Sequence, residues 1–227
     1  MTKILIILKY RFKYFFKKKG FIAHHGIQRS GTNFLLLCLK KLNLDIINEY
    51  DPIIKSYIFK KRNFTGHKHF RWYANKEKIP KQIKAQYINQ INPKNIHELN
   101  LLCNYPKDTK HIVIQKDKNK HTVSILNWGL RCNWFSDKSE ALKFVGDFRE
   151  DYDEYYNFWC NLSEQDPDFV KIVDIENIQN SKNELLSALK LLKMDIKNES
   201  CNFFFEEVPQ SPKKRTKSIK LEDILEL

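Results

Sequence analysis

The stretch Phe21-Ile22-Ala23-His24-His25-Gly26-Ile27-Gln28-Arg29-Ser30-Gly31-Thr32-Asn33, followed by the apolar run Phe34 to Leu42, decides how this chain of 227 residues is read. Phe21–His25 has the length and apolar start of a short buried strand, and the run from Phe34 has the length of a helix. Between them lies a loop bounded by Gly26 and Gly31. Strand, glycine-bounded loop, helix is the layout of a phosphate cradle, in which loop N–H groups and a helix dipole face one tetrahedral anion. Gly26 and Gly31-Thr32 keep Walker-A spacing, but the Lys that should precede Thr32 is missing. That Lys reaches the β/γ-phosphates of ATP or GTP, so its absence counts against a kinase or NTPase. The cation sits inside the loop instead, at Arg29, where it can stabilise charge on a leaving oxygen.

Working outward, His111–Gln115 reads as a second strand, followed by a basic turn and a helix through Val123, Leu126 and Leu130. Val170–Ile175 reads as a third. Ser181 and Glu184 then form a capping-box pair before an amphipathic helix carrying Leu185, Leu186, Leu189 and Leu192. Strands alternating with helices imply parallel βαβ units and an α/β fold: a central parallel sheet flanked by helices in three layers. Residues 71–105 and 134–165 read as helical or irregular. The expected organisation is a basic amphipathic segment over 1–20, one domain over 21–208 and a polar basic tail over 209–227.

The composition narrows the function. Forty Lys and Arg face 27 Asp and Glu, a formal charge of +13, which implies an anionic partner. No acid precedes Asp45, and ten of the bases lie before it, so the excess is local. Seven of those ten lie in residues 1–20. There Lys9, Lys13 and Lys17 recur every four residues beside Phe, Tyr and Ile. Two readings stay open: a helix resting on an anionic membrane surface, or one packed on the domain with a solvated basic face. Its apolar run Ile4–Leu8 is far short of the about 20 residues a spanning helix needs. The five cysteines (Cys38, Cys103, Cys132, Cys160, Cys201) form no CxxC pair, so reduced thiols in the cytoplasm are expected. No RNP, zinc-finger or helix-turn-helix pattern occurs, and nucleic acid is not an expected partner.

A second basic site follows the second strand. Lys116 stands at its C-terminal end and Ser124 lies eight residues on, so a base and a hydroxyl can converge on a further phosphate at the same sheet edge. Here the sequence resembles the sulfotransferases that use 3′-phosphoadenosine-5′-phosphosulfate (PAPS). The family's 5′-phosphosulfate loop, P-[KR]-S-G-T-T, is matched by Gln28-Arg29-Ser30-Gly31-Thr32-Asn33. Its 3′-phosphate site, R-[DN]-P-x5-S, is matched by Lys116-Asp117-Lys118 through Ser124. The late Y-E-[DN]-L element is matched by Ile175-Glu176-Asn177-Ile178. The resemblance covers about residues 21–195 and points to the small bacterial-type members. Gln28, Lys116 and Lys118 depart from the family's Pro, Arg and Pro, and Lys loses bidentate phosphate geometry. The C-terminal R-K-G-x-x-G element is absent, and Lys213-Lys214-Arg215 offers similar charge or a solvated tail.

The resemblance implies PAPS as cosubstrate, held at Arg29, Ser30, Gly31, Thr32, Asn33, Lys116 and Ser124, with no metal. Sulfuryl transfer also needs a group to take the acceptor's proton. Gly66-His67-Lys68-His69 resembles the family's K-x-H region, so His69 is the favoured base and His67 the second. His24 and His25 read as structural or ligand-adjacent. Any of Trp72, Trp128, Trp134 and Trp159 could stack on a base or sugar ring, and most of them read as core. The expected acceptor is a hydroxyl of a glycan or lipid-linked saccharide. Two other classes are weighed against this: a P-loop phosphotransferase, for which Asp174 alone would be the acidic strand end, and a non-catalytic basic protein binding membrane or nucleic acid.

Overall fold

In a computed structural model, the structure describes residues 20–51, 56–57, 68–69, 93–180, 182–196 and 218–225, with Leu5, Leu8, Phe12 and Leu227. The elements run β1 (Phe21–His25), α1 (Thr32–Lys41), β2 (Asp45–Ile46), β3 (Tyr50–Asp51), β4 (Ser56–Tyr57), α2 (Ile96–Cys103), β5 (Lys110–Gln115), α3 (Lys118–Arg131), α4 (Lys138–Leu142), α5 (Val145–Gln165), β6 (Val170–Asp174), α6 (Ile175–Asn180), α7 (Lys182–Leu191) and α8 (Glu222–Leu225). The three strands read from the sequence are all present, with ends shifted by no more than one residue. Residues 134–165 resolve into α4 and α5. His67, Trp72, Ser181 and Lys213-Lys214-Arg215 lie outside the described residues.

Four strands form one parallel sheet in the order β2-β1-β5-β6, and β3 and β4 form a separate antiparallel pair. From β1 the chain steps to β2 on one side and later to β5 on the other. That reversal opens a crevice at the strands' C-terminal ends, where open α/β sheets bind their ligands. Every residue of β1 is buried, as a parallel strand covered on both faces requires.

The two faces have separate cores. On one, Ile22, Ile112, Ile114 and Val173 pack against Leu35 and Leu39 of α1 and Leu185 and Leu189 of α7. On the other, Phe21, Ala23, Val113 and Val170 pack against Leu99 of α2 and Tyr155, Tyr156 and Trp159 of α5. Residues two apart on a strand share a face, so this partition follows from the strand sequences. A third cluster joins α3, α4 and the start of α5.

Ile219 and Ile224 are fully buried in that third cluster. Asn127 donates to the Ile219 carbonyl (2.8 Å) and accepts from its N–H (3.1 Å), while Arg149 donates to the Ile224 carbonyl (2.8 Å). Within the expected polar basic tail over 209–227, residues 218–225 are therefore docked on α3 and α5. Two isoleucines at a spacing of five in a polar stretch carry the burial, and their weight is easily missed in a short segment.

Candidate functional site

The loop after β1 is built by its two bounding glycines. A Cβ on Gly26 would stand 2.5 Å from Ser30 Oγ and 2.7 Å from both Ile114 and Thr32 side-chain carbons. Gly31 has φ +103°, and a Cβ there would stand 2.2 Å from Ile175 Cδ1 at the start of α6. Only glycine fits where the loop presses this closely on β5 and α6. Arg29 also takes a left-handed conformation, φ 76°, which costs a non-glycine residue about 1–2 kcal/mol. Strain of this kind collects at sites where surrounding structure enforces it.

α1 begins at Gly31 with no side-chain cap and no acid in its first turn. The amide donors of its first turn have no partner within the helix, and the dipole's positive end faces the crevice. Thr32 and Asn33 supply the first two of those donors. Ser30 is fully buried, and its N–H donates to the Ile27 carbonyl (3.0 Å), so it is engaged in the loop's own turn.

Two residues more than thirty positions away complete the loop. The Gly26 N–H donates to the Lys68 carbonyl (3.1 Å), and the His69 ring donates from Nδ1 to the Gly26 carbonyl (2.8 Å). A carbonyl can only accept, so Nδ1 carries the proton and Nε2 of the neutral ring carries the lone pair. The expected base is thus joined to the loop after β1 and held in the tautomer that leaves Nε2 its lone pair. Lys68 donates from Nζ to Asn33 Oδ1 on the first turn of α1, and burial lowers its pKa. Lys68 was missed from the sequence, although it sits between the two candidate histidines.

The second expected site lies at the exit of β5. Lys116 is half-buried there, and its carbonyl accepts from Tyr152 Oη (2.6 Å), which itself accepts from Gln115 Nε2 (3.0 Å). Burial pushes the Tyr152 phenol up to about 12, so it remains a donor at any ordinary pH. Asp117 caps α3 by accepting from the Lys120 N–H (2.8 Å), which explains the need for Asp or Asn in this turn. Ser124 lies half-buried one and a half turns along α3. Lys118 and Lys120 pair with Asp153 (3.0 Å) and Glu176 (2.5 Å). Asp174 accepts from the N–H groups of Glu176 (2.7 Å) and Asn177 (3.3 Å), so its carboxylate caps α6.

Helix α3 also reaches the loop. His121 donates from Nε2 to the Gln28 carbonyl (2.9 Å), and the Arg29 guanidinium carbon stands 4.8 Å from the centre of the Trp128 ring. Neither contact was foreseen, although 121, 124 and 128 share the i, i+3, i+7 spacing of one helix face. Trp159 is a core residue whose ring lies tilted against His25 (centroids 4.6 Å apart), and Trp134 packs against the third cluster.

His24 and His25 are buried and hydrogen-bonded inside the fold. Asn48 Oδ1 accepts from the His24 N–H (3.0 Å) and from its Nδ1 (2.8 Å), and Asn48 Nδ2 donates back to the His24 carbonyl (2.7 Å). Asn100 Nδ2 faces the carbonyls of Lys107 and Thr109 (3.2 Å each), so its Oδ1 accepts from His111 Nε2 (2.8 Å). His111 Nδ1 then accepts from His25 Nε2 (3.0 Å). His111, donating at Nε2 and accepting at Nδ1, is the neutral ring in this directed chain. Burial, helped by the Lys110 charge, pushes the His111 pKa down to about 3 from 6.5. A depressed pKa means the unfolded chain takes up the proton first. The stability His111 contributes is complete above pH 6.5 and is lost as pH falls toward 3, at about 1.4 kcal/mol per unit. Urea unfolding between pH 7 and 4.5 should show that slope, and His111→Gln, which keeps a donor toward Asn100, should flatten it. An unchanged slope would mean His111 does not titrate in this way.

No protein-family model matches the chain, and no curated protein matches it. Among solved structures it is similar to mouse sulfotransferase SULT7A1 complexed with PAP, at 14% identity and a TM-score of 0.50. The match covers 84% of this chain and 65% of that one, so the chain spans less than two thirds of its neighbour's length. The fold is sulfotransferase-like. A sulfotransferase-like sheet brings the loop after β1 and the turn after β5 to adjacent strand ends, and Lys68 and His69 meet the first of them through Gly26.

Proposed function

We propose that this chain is a sulfotransferase that moves the sulfuryl group of PAPS to a hydroxyl of a glycan or lipid-linked saccharide. The observation that carries the reading is the His69 Nδ1 bond to the Gly26 carbonyl. It ties a correctly tautomerised base to an anion loop that lacks the NTPase lysine. The amides of Gly31, Thr32 and Asn33, with Arg29, hold the 5′-phosphosulfate, and Ser30 shapes the turn beneath it. Lys116 and Ser124 hold the 3′-phosphate, which separates PAPS from ATP. Lys68 adds a cation beside the transferring group.

In the reaction His69 Nε2 takes the acceptor's hydroxyl proton while the acceptor oxygen forms a bond to sulfur. The bond from sulfur to the bridging phosphate oxygen breaks in line, and 3′,5′-adenosine diphosphate leaves with the electron pair. Arg29 stabilises the charge on that oxygen. Capping of α6 by Asp174 supports sulfuryl over phosphoryl transfer, because the one candidate acidic strand end is already engaged.

We assign catalysis to residues 21–208, a cytoplasmic location, and the bacterial-type placing that the motif resemblance suggests. The segment 1–20 we assign to anionic membrane contact rather than to nucleic acid. Leu5, Leu8 and Phe12 are helical, more than half exposed and spaced to share a face, amid seven bases. Among the described residues no helix is long and apolar enough to cross a membrane. One set of titrations tests these assignments. PAPS should raise the melting temperature while ATP–Mg²⁺ does not, and flotation with phosphatidylserine vesicles should be lost on deleting residues 1–19. Stabilisation by ATP–Mg²⁺ alone would favour phosphotransfer, and no shift with either nucleotide would favour the non-catalytic reading.

A further inference from the structure

The contacts between α3 and the loop fall on one line of the helix. His121, Ser124 and Trp128 lie at i, i+3 and i+7, and the first and last of them touch consecutive residues of the loop, Gln28 and Arg29. Ser124, between them, belongs to the proposed 3′-phosphate site. A rigid helix that grips the loop at two points and carries a phosphate ligand between them fixes the spacing of the two anion sites.

The two grips act on different parts of Arg29. The Gln28 carbonyl and the Arg29 N–H belong to one planar trans peptide and point in opposite directions. Donation from His121 to that carbonyl therefore turns the Arg29 N–H away from α3 and holds the peptide that leads into the φ 76° conformation. Trp128 acts on the side chain, since a guanidinium over an indole face is attracted by the ring quadrupole. Arg131, one turn further on, also stands over this ring, its guanidinium carbon 5.2 Å from the centre, and donates to the Asn127 carbonyl (3.2 Å). Trp128 is itself held by the third core cluster, against which its ring packs. His121 is almost wholly buried beside Tyr152, with ring centroids 5.4 Å apart. Both gripping side chains are thus fixed from behind, as a positioning residue must be.

We propose that His121 and Trp128 are positioning residues for Arg29, so that α3 couples capture of the 3′-phosphate to the orientation of the cation at the transferring group. The inference rests on the sulfonucleotide reading of the site. It assigns to two side chains outside the proposed phosphate-ligand set a share in the affinity that Arg29 supplies.

Calorimetric titration with 3′,5′-adenosine diphosphate tests it. Trp128→Leu should weaken binding about 3- to 30-fold, the range of a partly desolvated cation–π contact. In an Arg29→Ala background the same substitution should cost nothing further, because its target is gone. Trp128→Phe, which keeps an aromatic face, should recover most of the loss. His121→Phe should behave like Trp128→Leu, and His121→Gln should restore binding by returning a donor to the Gln28 carbonyl. Losses that add fully in the double variants would overturn the proposal, as would wild-type affinity in Trp128→Leu. A second readout needs no nucleotide. The Arg29 Nε–H proton should resonate upfield from the Trp128 ring current and return to the position of an exposed arginine in Trp128→Leu. If the wild-type protein bound no nucleotide, the sulfonucleotide reading would fall while that shift, present or absent, still decided the positioning claim.

Discussion

Replacing Arg29 with alanine is expected to weaken binding of 3′,5′-adenosine diphosphate by about 100-fold or more. The estimate rests on charge-assisted hydrogen bonds of about 1.5–3 kcal/mol each, with 1.4 kcal/mol per decade of affinity. Two effects act together. The guanidinium disappears from an anion site, and the left-handed backbone at φ 76° loses the side chain that Trp128 anchors. Lys116→Ala should also weaken the complex strongly, through the other phosphate, and should spare adenosine 5′-phosphosulfate, which has no 3′-phosphate to lose. Isothermal titration of both ligands against both variants separates the two sites. Full binding of 3′,5′-adenosine diphosphate by Arg29→Ala and by Lys116→Ala would remove the site assignment altogether.

The second large effect is expected at His69 and concerns turnover. Loss of a positioned general base typically slows a reaction about 10²- to 10⁴-fold. Alanine is a poor probe here, because it would also remove the bond to the Gly26 carbonyl and loosen the loop. Asparagine can place its amide N–H near the position of Nδ1 while offering no basic nitrogen. His69→Asn should therefore bind 3′,5′-adenosine diphosphate normally and transfer radiolabelled sulfuryl groups from PAPS to saccharide acceptors at least about 100-fold more slowly. The rise of rate with pH that a neutral histidine imposes should vanish with it. Wild-type turnover in His69→Asn would transfer the base assignment elsewhere, first to His67. Normal binding with slow transfer would separate a base from a scaffold residue, which a loss of both would not.

The parts of this protein legible in the sequence are those encoded by near neighbours along the chain. Buried strands, the glycine-bounded turn and amphipathic helices follow from side-chain periodicity and backbone preference, so the three strands, the loop and the α/β class could be read directly. The eight-residue interval from Lys116 to Ser124 was legible for the same reason, since a capped helix following a strand converts sequence spacing into position. Ile219 and Ile224 show where this fails. Their burial depends on a groove made by α3 and α5, and nothing in their own neighbourhood announces it.

Charge patterning was legible too, in that ten charges of the +13 excess lie before Asp45, in a basic leader and in the strand–loop–helix that holds Arg29. Which cations serve the loop was a different matter. Lys68 and His69 reach Asn33 and Gly26 across 35 and 43 residues, and His121 reaches Gln28 across 93. Contacts at such separations depend on strand order and helix packing, which bring β1 and β5 side by side and lay α3 across the loop between them. The sequence by itself determined the three long strands, the helices that follow them and the glycine-bounded turn with its cation, because these arise from local geometry and from residues on the loop itself. Only the tertiary structure decided the tautomer of His69, the grip of α3 on Arg29 and the structural duty of His25 and His111. Each of those is set by which distant group fills the space beside a buried polar atom.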